Sequence, residues 1–563
     1  MNAFHVVVIF LMVRALSSQT VTCKSPIFCQ GDLLRVVQMA GIFKDSKTFV
    51  DMSLVRTMEK TLKNFEIMMT RTGGSPNKND VVEFIQKNFQ ASHNELDNWY
   101  PTDYQVNPPF LRKIKDVRIR AIAKKLLDIW PNLGRKIKPE VMQNPFKYSI
   151  IPVPNGFIVP GGRFREIYYW DSYWIMKGLL ICDMKHTVKG MIDNFFRIID
   201  MYGFIPNGGR IYYLDRSQPP LLTLMVADFL EVSKEVLWLR NNMKYLEKEL
   251  MYWLTMKTVQ VEKHGQKYRL ARYRSSDNTP RPESYIEDIH TASRYRTEDE
   301  KRQCYQNIRT GAETGWDFSG RWFFDHQGGN RADLSTINPT RVIPVDLNAF
   351  LCRCFKIMHE FYKKFRNHER AAFWLQKYNE WLKAIRDVLY NVEDGIWYDY
   401  DIELRVQRKH FYPSNFAPLW TECYDTSIRQ SYGKNATNYL VQKGILNYEG
   451  GIPTSLFETG EQWDMPNAWA PTQAIVIFGL DKSQDPGAKK VAQDLAFRWI
   501  DSLVKVAEDT HEMFEKYNAM FKGMYGGGGE YEVQTGFGWT NGVMLELIEH
   551  YYIKNKGANT TET

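Results

Sequence analysis

Apolar residues recur at three- and four-residue spacing along nearly the whole chain, and no other feature restricts the fold as much. Between His186 and Tyr202, the residues Val188, Met191, Ile192, Phe195 and Ile199 fall on one face of a helix. The stretches Leu347 to Arg366, Glu369 to Asn391, Gly487 to Glu508 and Trp539 to Ile553 read the same way. Alternating strand and helix units are missing, which argues against a doubly wound sheet. Only Lys267 to Tyr273 reads as a short strand. Every one of these helices must bury one face, while the segments between them are rich in Gly, Pro, Trp and Asp. Helix hairpins stacked in a ring would bury all those faces and gather the loops at one end. The pattern therefore predicts an all-α fold, an α/α toroid with long loops, with an irregular helical bundle as the alternative.

A toroid of this kind absorbs a long chain without a domain break. With 563 residues and no low-complexity linker beyond the four glycines Gly526 to Gly529, residues 19–553 are expected to form one domain. Lys+Arg is 73 against Asp+Glu 65, a net charge of +8 spread thinly and without a basic run, so nucleic-acid binding is not expected. The N-terminus carries an apolar run from Val6 to Val13, then the small-residue stretch Ala15-Leu16-Ser17-Ser18. That pattern reads as a signal peptide over residues 1–18, although the only early basic residue, Arg14, follows the run. The run is too short to span a bilayer, and the tail 554–563 is polar, so a secreted protein without a membrane anchor is expected. In that setting Cys23 and Cys29 are close enough in sequence to pair, while the odd total of seven cysteines leaves at least one thiol unpaired. Asn435 and Asn559 each open a glycosylation sequon.

Cofactor signatures are missing. The chain has no HExxH, no CxxC pair, no P-loop and no GxSxG elbow; Cys352 and Cys354 fall on a predicted helix and read as core. The eleven histidines lack ligand spacing, so no metal or organic cofactor is expected. Five loop-like segments stand out instead. They centre on Pro160 to Asp171, Pro206 to Pro220, Pro280 to Ser284, Glu313 to Ser319 and Phe514 to Trp539. Together they mix planar Arg or amide donors, carboxylates and aromatic rings. Sugar hydroxyls both donate and accept, so bidentate arginines and carboxylates bracket them well, and rings cover their C–H faces.

Two of these patterns are long enough to point to a family. Pro160-Gly161-Gly162-Arg163-Phe164, continuing through Glu166, Tyr168, Trp170, Asp171 and Tyr173, resembles the first trehalase signature. Gln462-Trp463-Asp464-Met465-Pro466-Asn467-Ala468-Trp469-Ala470-Pro471 resembles the second. The likeness runs from about Cys23 to the last helix. It implies an (α/α)6 toroid of the trehalases, glycoside hydrolase family 37, and hydrolysis of the disaccharide α,α-trehalose to two glucoses with inversion. By position, it implies Asp317 as general acid and Glu515 as general base. It likewise implies substrate contacts at Arg163, Trp170, Asp171, Asn207, Arg216 and Ser217, and at Gln218, Arg281, Pro282, Glu283, Gly315 and Glu530. One departure is the stretch Asn518-Ala519-Met520-Phe521-Lys522-Gly523, bulkier than the small-residue loop of the family.

The implied chemistry stands on its own terms. A glycosidic bond needs one carboxylic acid to protonate the leaving oxygen and one carboxylate to activate water, about 6.5–9.5 Å apart in an inverting enzyme. Asp317 would have to stay protonated near neutrality through burial or a neighbouring carboxylate, and Glu515 would have to stay ionised, helped by the pocket's three arginines. Two rival readings share the fold: a silent sugar-binding protein and a hydrolase of another glucan. A deep pocket favours a disaccharide and an open groove favours a polymer.

Overall fold

The computed structural model describes residues 21–324 and 332–554; the segment read as a signal peptide and the sequon at Asn559 lie outside the described residues. Among the described residues, twelve helices form two concentric rings. They are α1 (Val117–Leu133), α2 (Tyr169–Ile181), α3 (Lys185–Tyr202), α4 (Leu222–Ser233), α5 (Val236–Met256) and α6 (Val345–Lys364). Then come α7 (His368–Ala384), α8 (Ala417–Thr421), α9 (Arg429–Gln442), α10 (Ala470–Lys482), α11 (Pro486–Thr510) and α12 (Gly538–Ile548). Helices α2, α4, α6, α8, α10 and α12 touch in that order, and α12 closes the ring against α2. The odd-numbered helices lie outside them, so the predicted toroid is the observed one.

Sequence decides which ring a helix joins. In α10 the consecutive residues Ala474, Ile475, Val476, Ile477 and Phe478 are all buried, and a helix apolar all round has to sit inside. Outer helices keep one wet face, and three of the six, α1, α7 and α11, begin with side-chain caps. Asp116 accepts from the Ile119 N–H of α1, and Asp485 accepts from the Ala488 N–H of α11, with Pro486 at the first helical position. The ring closes tightly at α2 and α12 because both carry glycine at the crossing. A Cβ on Gly542 would lie 1.9 Å from the carbonyl oxygen of Trp174, so no larger residue fits there.

The predicted strand is present as Gln266–Ala271, paired antiparallel with Thr258–Lys263. Two predicted helices end sooner than their periodicity suggested. The last turns after α7 and α12 widen into π-turns over Ile385–Leu389 and Glu549–Lys554. Cys23 and Cys29 are joined, as expected. Cys352 is buried in α6 beside Cys354 as read, but it is disulfide-bonded to Cys423, 71 residues away. Cys182, Cys304 and Cys354 are free and buried.

Residues before α1 build a small helical unit with its own core, including Leu33, Leu34, Phe49, Val81 and Phe84. That core is completed by Tyr168, Tyr212 and Tyr213 from the toroid loops. Beneath it lies a buried ion network. Lys47 pairs with Asp51 and Glu166, while Arg210 reaches Glu95 at 2.8 Å and Asp51 at 3.4 Å. Glu166 and Arg210, which sit in the segments singled out as sugar-binding, therefore spend their charge joining the N-terminal unit to the ring.

Candidate active site

The five loop segments converge at one end of the toroid around a single cavity. Asp317 reaches it from the end of the helix Glu298–Glu313. The turn between them needs Gly315, whose φ is +75° and whose added Cβ would meet the Trp170 ring at 2.9 Å. Glu515 reaches the same cavity from a different loop, immediately before the strand Lys516–Asn518, which pairs with Asn467–Trp469 of the second tryptophan-rich segment. The aromatic lining is rigid. Trp463 stacks on Trp469 at 4.1 Å between centroids and on Trp316 at 5.2 Å, and Trp539 stands edge-on to Trp170.

Of the residues singled out from sequence, Arg163, Trp170, Asp171, Asn207, Arg216 and Gln218 line this cavity. So do Arg281, Glu283, Gly315, Asp317, Glu515 and Glu530. Ser217 and Pro282 do not. The Ser217 hydroxyl donates to the Ile205 carbonyl at 2.6 Å, and the Pro282 carbonyl accepts from the Gln38 amide at 3.0 Å, so both brace their neighbours. Among lining residues that sequence reasoning left without a role are Gln462, Trp463, Trp469, Tyr531, Phe537 and Trp539. The first three lie inside the second signature, and their Trp content was the available signal. The bulky stretch Asn518 to Gly523 does not enter the cavity: Met520 and Phe521 are exposed to solvent.

Of the five carboxyl groups that line the pocket, three are shifted upward, each by a different balance of forces. Burial pushes Asp317 up to about 7; Arg281 and Arg216 pull it down and Glu530 pushes it up, but the loss of water outweighs them. Asp317 keeps a little surface open toward the cavity and is enclosed by protein elsewhere. Asp171 is held well above the usual carboxylate range by burial and by the nearby Glu515 and Asp317. Glu515 is also raised by burial, but Lys516, the Tyr531 hydroxyl, the Gln534 backbone and Arg163 oppose the rise. The cations beside Glu515 are thus Lys516 first and then Arg163. Arg216 and Arg281, expected to serve the same carboxylate, act on Asp317.

Hydrogen bonding separates Glu515 from Glu530. Glu515 Oε1 accepts from the Tyr531 hydroxyl at 2.8 Å, while Oε2 has no partner among the described residues. Glu530 has both oxygens engaged, Oε1 by Arg281 at 2.7 Å and Oε2 by the Ser284 hydroxyl at 3.4 Å. The arginines are themselves fixed. Asp45 of the N-terminal unit holds Arg163 through two bonds of 2.8 Å; Asp288 holds Arg281, and Glu283 and Asp215 hold Arg216. Arg216 Nε is buried without a partner, leaving a donor for a ligand. Among the described residues no group of three His, Cys, Asp or Glu side chains is arranged to hold a metal ion.

The mouth is narrowed by the N-terminal unit. Besides the Asp45–Arg163 clamp, Lys44 pairs with Glu532 at 2.9 Å and Ser46 donates to Glu287 at 3.3 Å. The N-terminal unit therefore helps to wall the site from outside.

The family model described as Trehalase matches residues 41–552. Trehalase of Tenebrio molitor is 49% identical over 531 residues, covering 94% of this chain and 96% of its own length. Human trehalase is 44% identical over 529 residues, covering 94% and 90%. Among solved structures, neutral trehalase Nth1 from Saccharomyces cerevisiae superimposes with a TM-score of 0.56 at 23% identity, over 71% of this chain and 74% of that one, a likeness of fold.

Proposed function

Since the chain belongs to the trehalase family and hydrolyses trehalose to glucose, we propose that it does so by inversion, with Asp317 as general acid and Glu515 as general base. The observation that carries this reading is the contrast between the two carboxyls in one cavity. Asp317 is pushed to about 7 and so still carries its proton near neutrality. Glu515 is tied by one oxygen and keeps the other free to take a proton. Glu530, the rival base, is occupied by Arg281 and Ser284.

In the reaction, Asp317 gives its proton to the glycosidic oxygen as the bond to one anomeric carbon breaks. Water attacks that carbon from the opposite face and passes its proton to Glu515. Arg163, Arg216 and Arg281, with Asn207, Gln218 and Glu283, bracket the hydroxyls, and the tryptophans cover the sugar faces. A site lined by buried side chains and walled by the N-terminal unit supports a disaccharide over a polymer.

Stereochemistry tests the assignment. Trehalose joins two glucoses through both anomeric carbons, each in the α configuration. The attacked glucose leaves as β, and the other, whose anomeric carbon is untouched, leaves as α. Proton NMR before mutarotation should show the two anomers in equal amounts. Early spectra with α-glucose alone would mean a double displacement and would remove Glu515 from the role of base.

We also infer that residues 1–18 direct secretion and that residues 19–553 work as one catalytic unit. The Cys352–Cys423 and Cys23–Cys29 bridges support an oxidising compartment, and no helix of the described residues is long and apolar enough to cross a membrane. Protein recovered from the medium of expressing animal cells should begin near Ser18 or Gln19; an intact Met1 would refute the leader.

A further inference from the structure

Lys516 is 0% exposed, and the contacts of its ammonium are neutral oxygens and ring faces. A buried ammonium without a counter-ion is costly, so it is kept only where something uses it. Its Nζ donates to Gln462 Oε1 at 2.9 Å and to the Gly528 carbonyl at 2.9 Å, and it sits over the faces of Trp469 and Tyr531. Gln462 in turn donates from Nε2 to the backbone carbonyl of Asp317. One cation thereby ties together the strand behind the base, the glycine loop that carries Glu530 and Tyr531, and the loop that carries the acid.

On the reading of Asp317 and Glu515 given above, we propose that Lys516 is a positioning residue for the pair: its charge holds Glu515 ionised, and its hydrogen bonds through Gln462 and Gly528 set the acid loop and glycine loop against the base. Glu515 lines the cavity, whereas Lys516 lies behind Gln462, Trp469 and Tyr531, which line it, so the cation acts on the base without occupying the substrate's place. The other groups facing Glu515 are Tyr531, the Gln534 backbone and Arg163, which favour its ionised form, and Asp171, whose carboxyl is coupled to it. Lys516 is first among the groups that favour ionisation. Burial pulls its own ammonium down to about 8, with Glu515, Asp317 and Glu461 opposing, so it remains charged through neutral pH.

The test is the pH profile of kcat/KM on trehalose for the wild type and for Lys516→Gln, Lys516→Arg, Gln462→Leu and Glu515→Gln. The Lys516→Gln side chain keeps an amide donor but loses the charge. Its acid limb should move up by at least about half a pH unit, the order expected of one buried charge beyond contact distance. Lys516→Arg should restore the wild-type limb. Gln462→Leu, which breaks the link to Asp317 but keeps the cation, should lower kcat severalfold without moving the limb. A folded Lys516→Gln with a wild-type limb, or a Lys516→Arg shifted as far as Lys516→Gln, overturns the proposal. If Lys516→Gln does not fold, Lys516→Arg and Gln462→Leu decide: a limb displaced in either one overturns it. Glu515→Gln keeps the two readings apart, because substantial turnover in that variant would refute the base assignment itself.

Discussion

If burial holds Asp317 protonated, this side chain harms the stability of the protein that needs it, and the harm grows with pH. The folded value of about 7 lies roughly three units above the 3.8 of an exposed aspartate. A carboxyl raised on folding binds its proton more tightly in the native state. Its destabilising effect therefore begins above the unfolded value, near pH 4, grows as pH rises, and levels off above pH 7. At about 1.36 kcal/mol per unit, the effect is about 1.5 kcal/mol at pH 5 and about 4 kcal/mol at pH 8. The surface that Asp317 keeps toward the cavity lets water offset part of this, leaving a difference between the two pH values of about 1 to 2.5 kcal/mol. Asp317→Asn does not titrate and escapes the effect. A chain of 563 residues unfolds with an entropy of about 1.2 kcal/mol/K, so the gain corresponds to a relative rise in Tm of roughly 1–2 °C. The assay is matched thermal scans of wild type and Asp317→Asn at pH 5 and pH 8, with trehalose turnover measured alongside. Turnover should fall by at least about 10²-fold. If the Tm advantage of Asp317→Asn is no larger at pH 8 than at pH 5, the carboxyl is not held neutral by its surroundings, and the physical basis for its role as acid is gone.

Two further outcomes follow from the hydrogen-bond pattern. Glu515→Gln should lower kcat by at least about 10²-fold with little change in KM, whereas Glu530→Gln, which releases Arg281, should mainly raise KM; the reverse pattern in steady-state kinetics would exchange the two roles. Asp45→Asn should cut kcat/KM by about tenfold, mostly through KM, because it frees the Arg163 guanidinium; Asp45→Glu should recover part of the loss, and an unchanged KM in Asp45→Asn would show that the clamp does not matter to substrate.

Some of this was legible in the residues before any coordinates. The helices α3, α6, α7, α11 and α12 follow from apolar spacing, because helix periodicity is a local property that a linear reading detects. The loop segments that meet at the cavity announced themselves by mixing arginine, carboxylate and tryptophan between those helices. Asp317 and Glu515 were nameable from their surrounding motifs, and both reach the same cavity.

What tertiary structure alone decided is where each polar side chain ended up pointing. Ser217 stands beside residues that line the pocket, yet its hydroxyl turns to the Ile205 carbonyl, and the neighbouring Pro282 offers its carbonyl to the Gln38 amide. Glu166 and Arg210 fall within the segments that carry the sugar-binding residues, yet they are partners of Lys47, Asp51 and Glu95 beneath a separate small core. Asp45 lies 118 positions from the arginine it holds, and Lys516 lies 54 from the glutamine that links it to the acid loop. A buried charge takes the partner that packing brings within about 3 Å, however distant in sequence. Spacing along the chain carries no record of that choice, which is made only when the rings of helices close and the loops above them are pressed together.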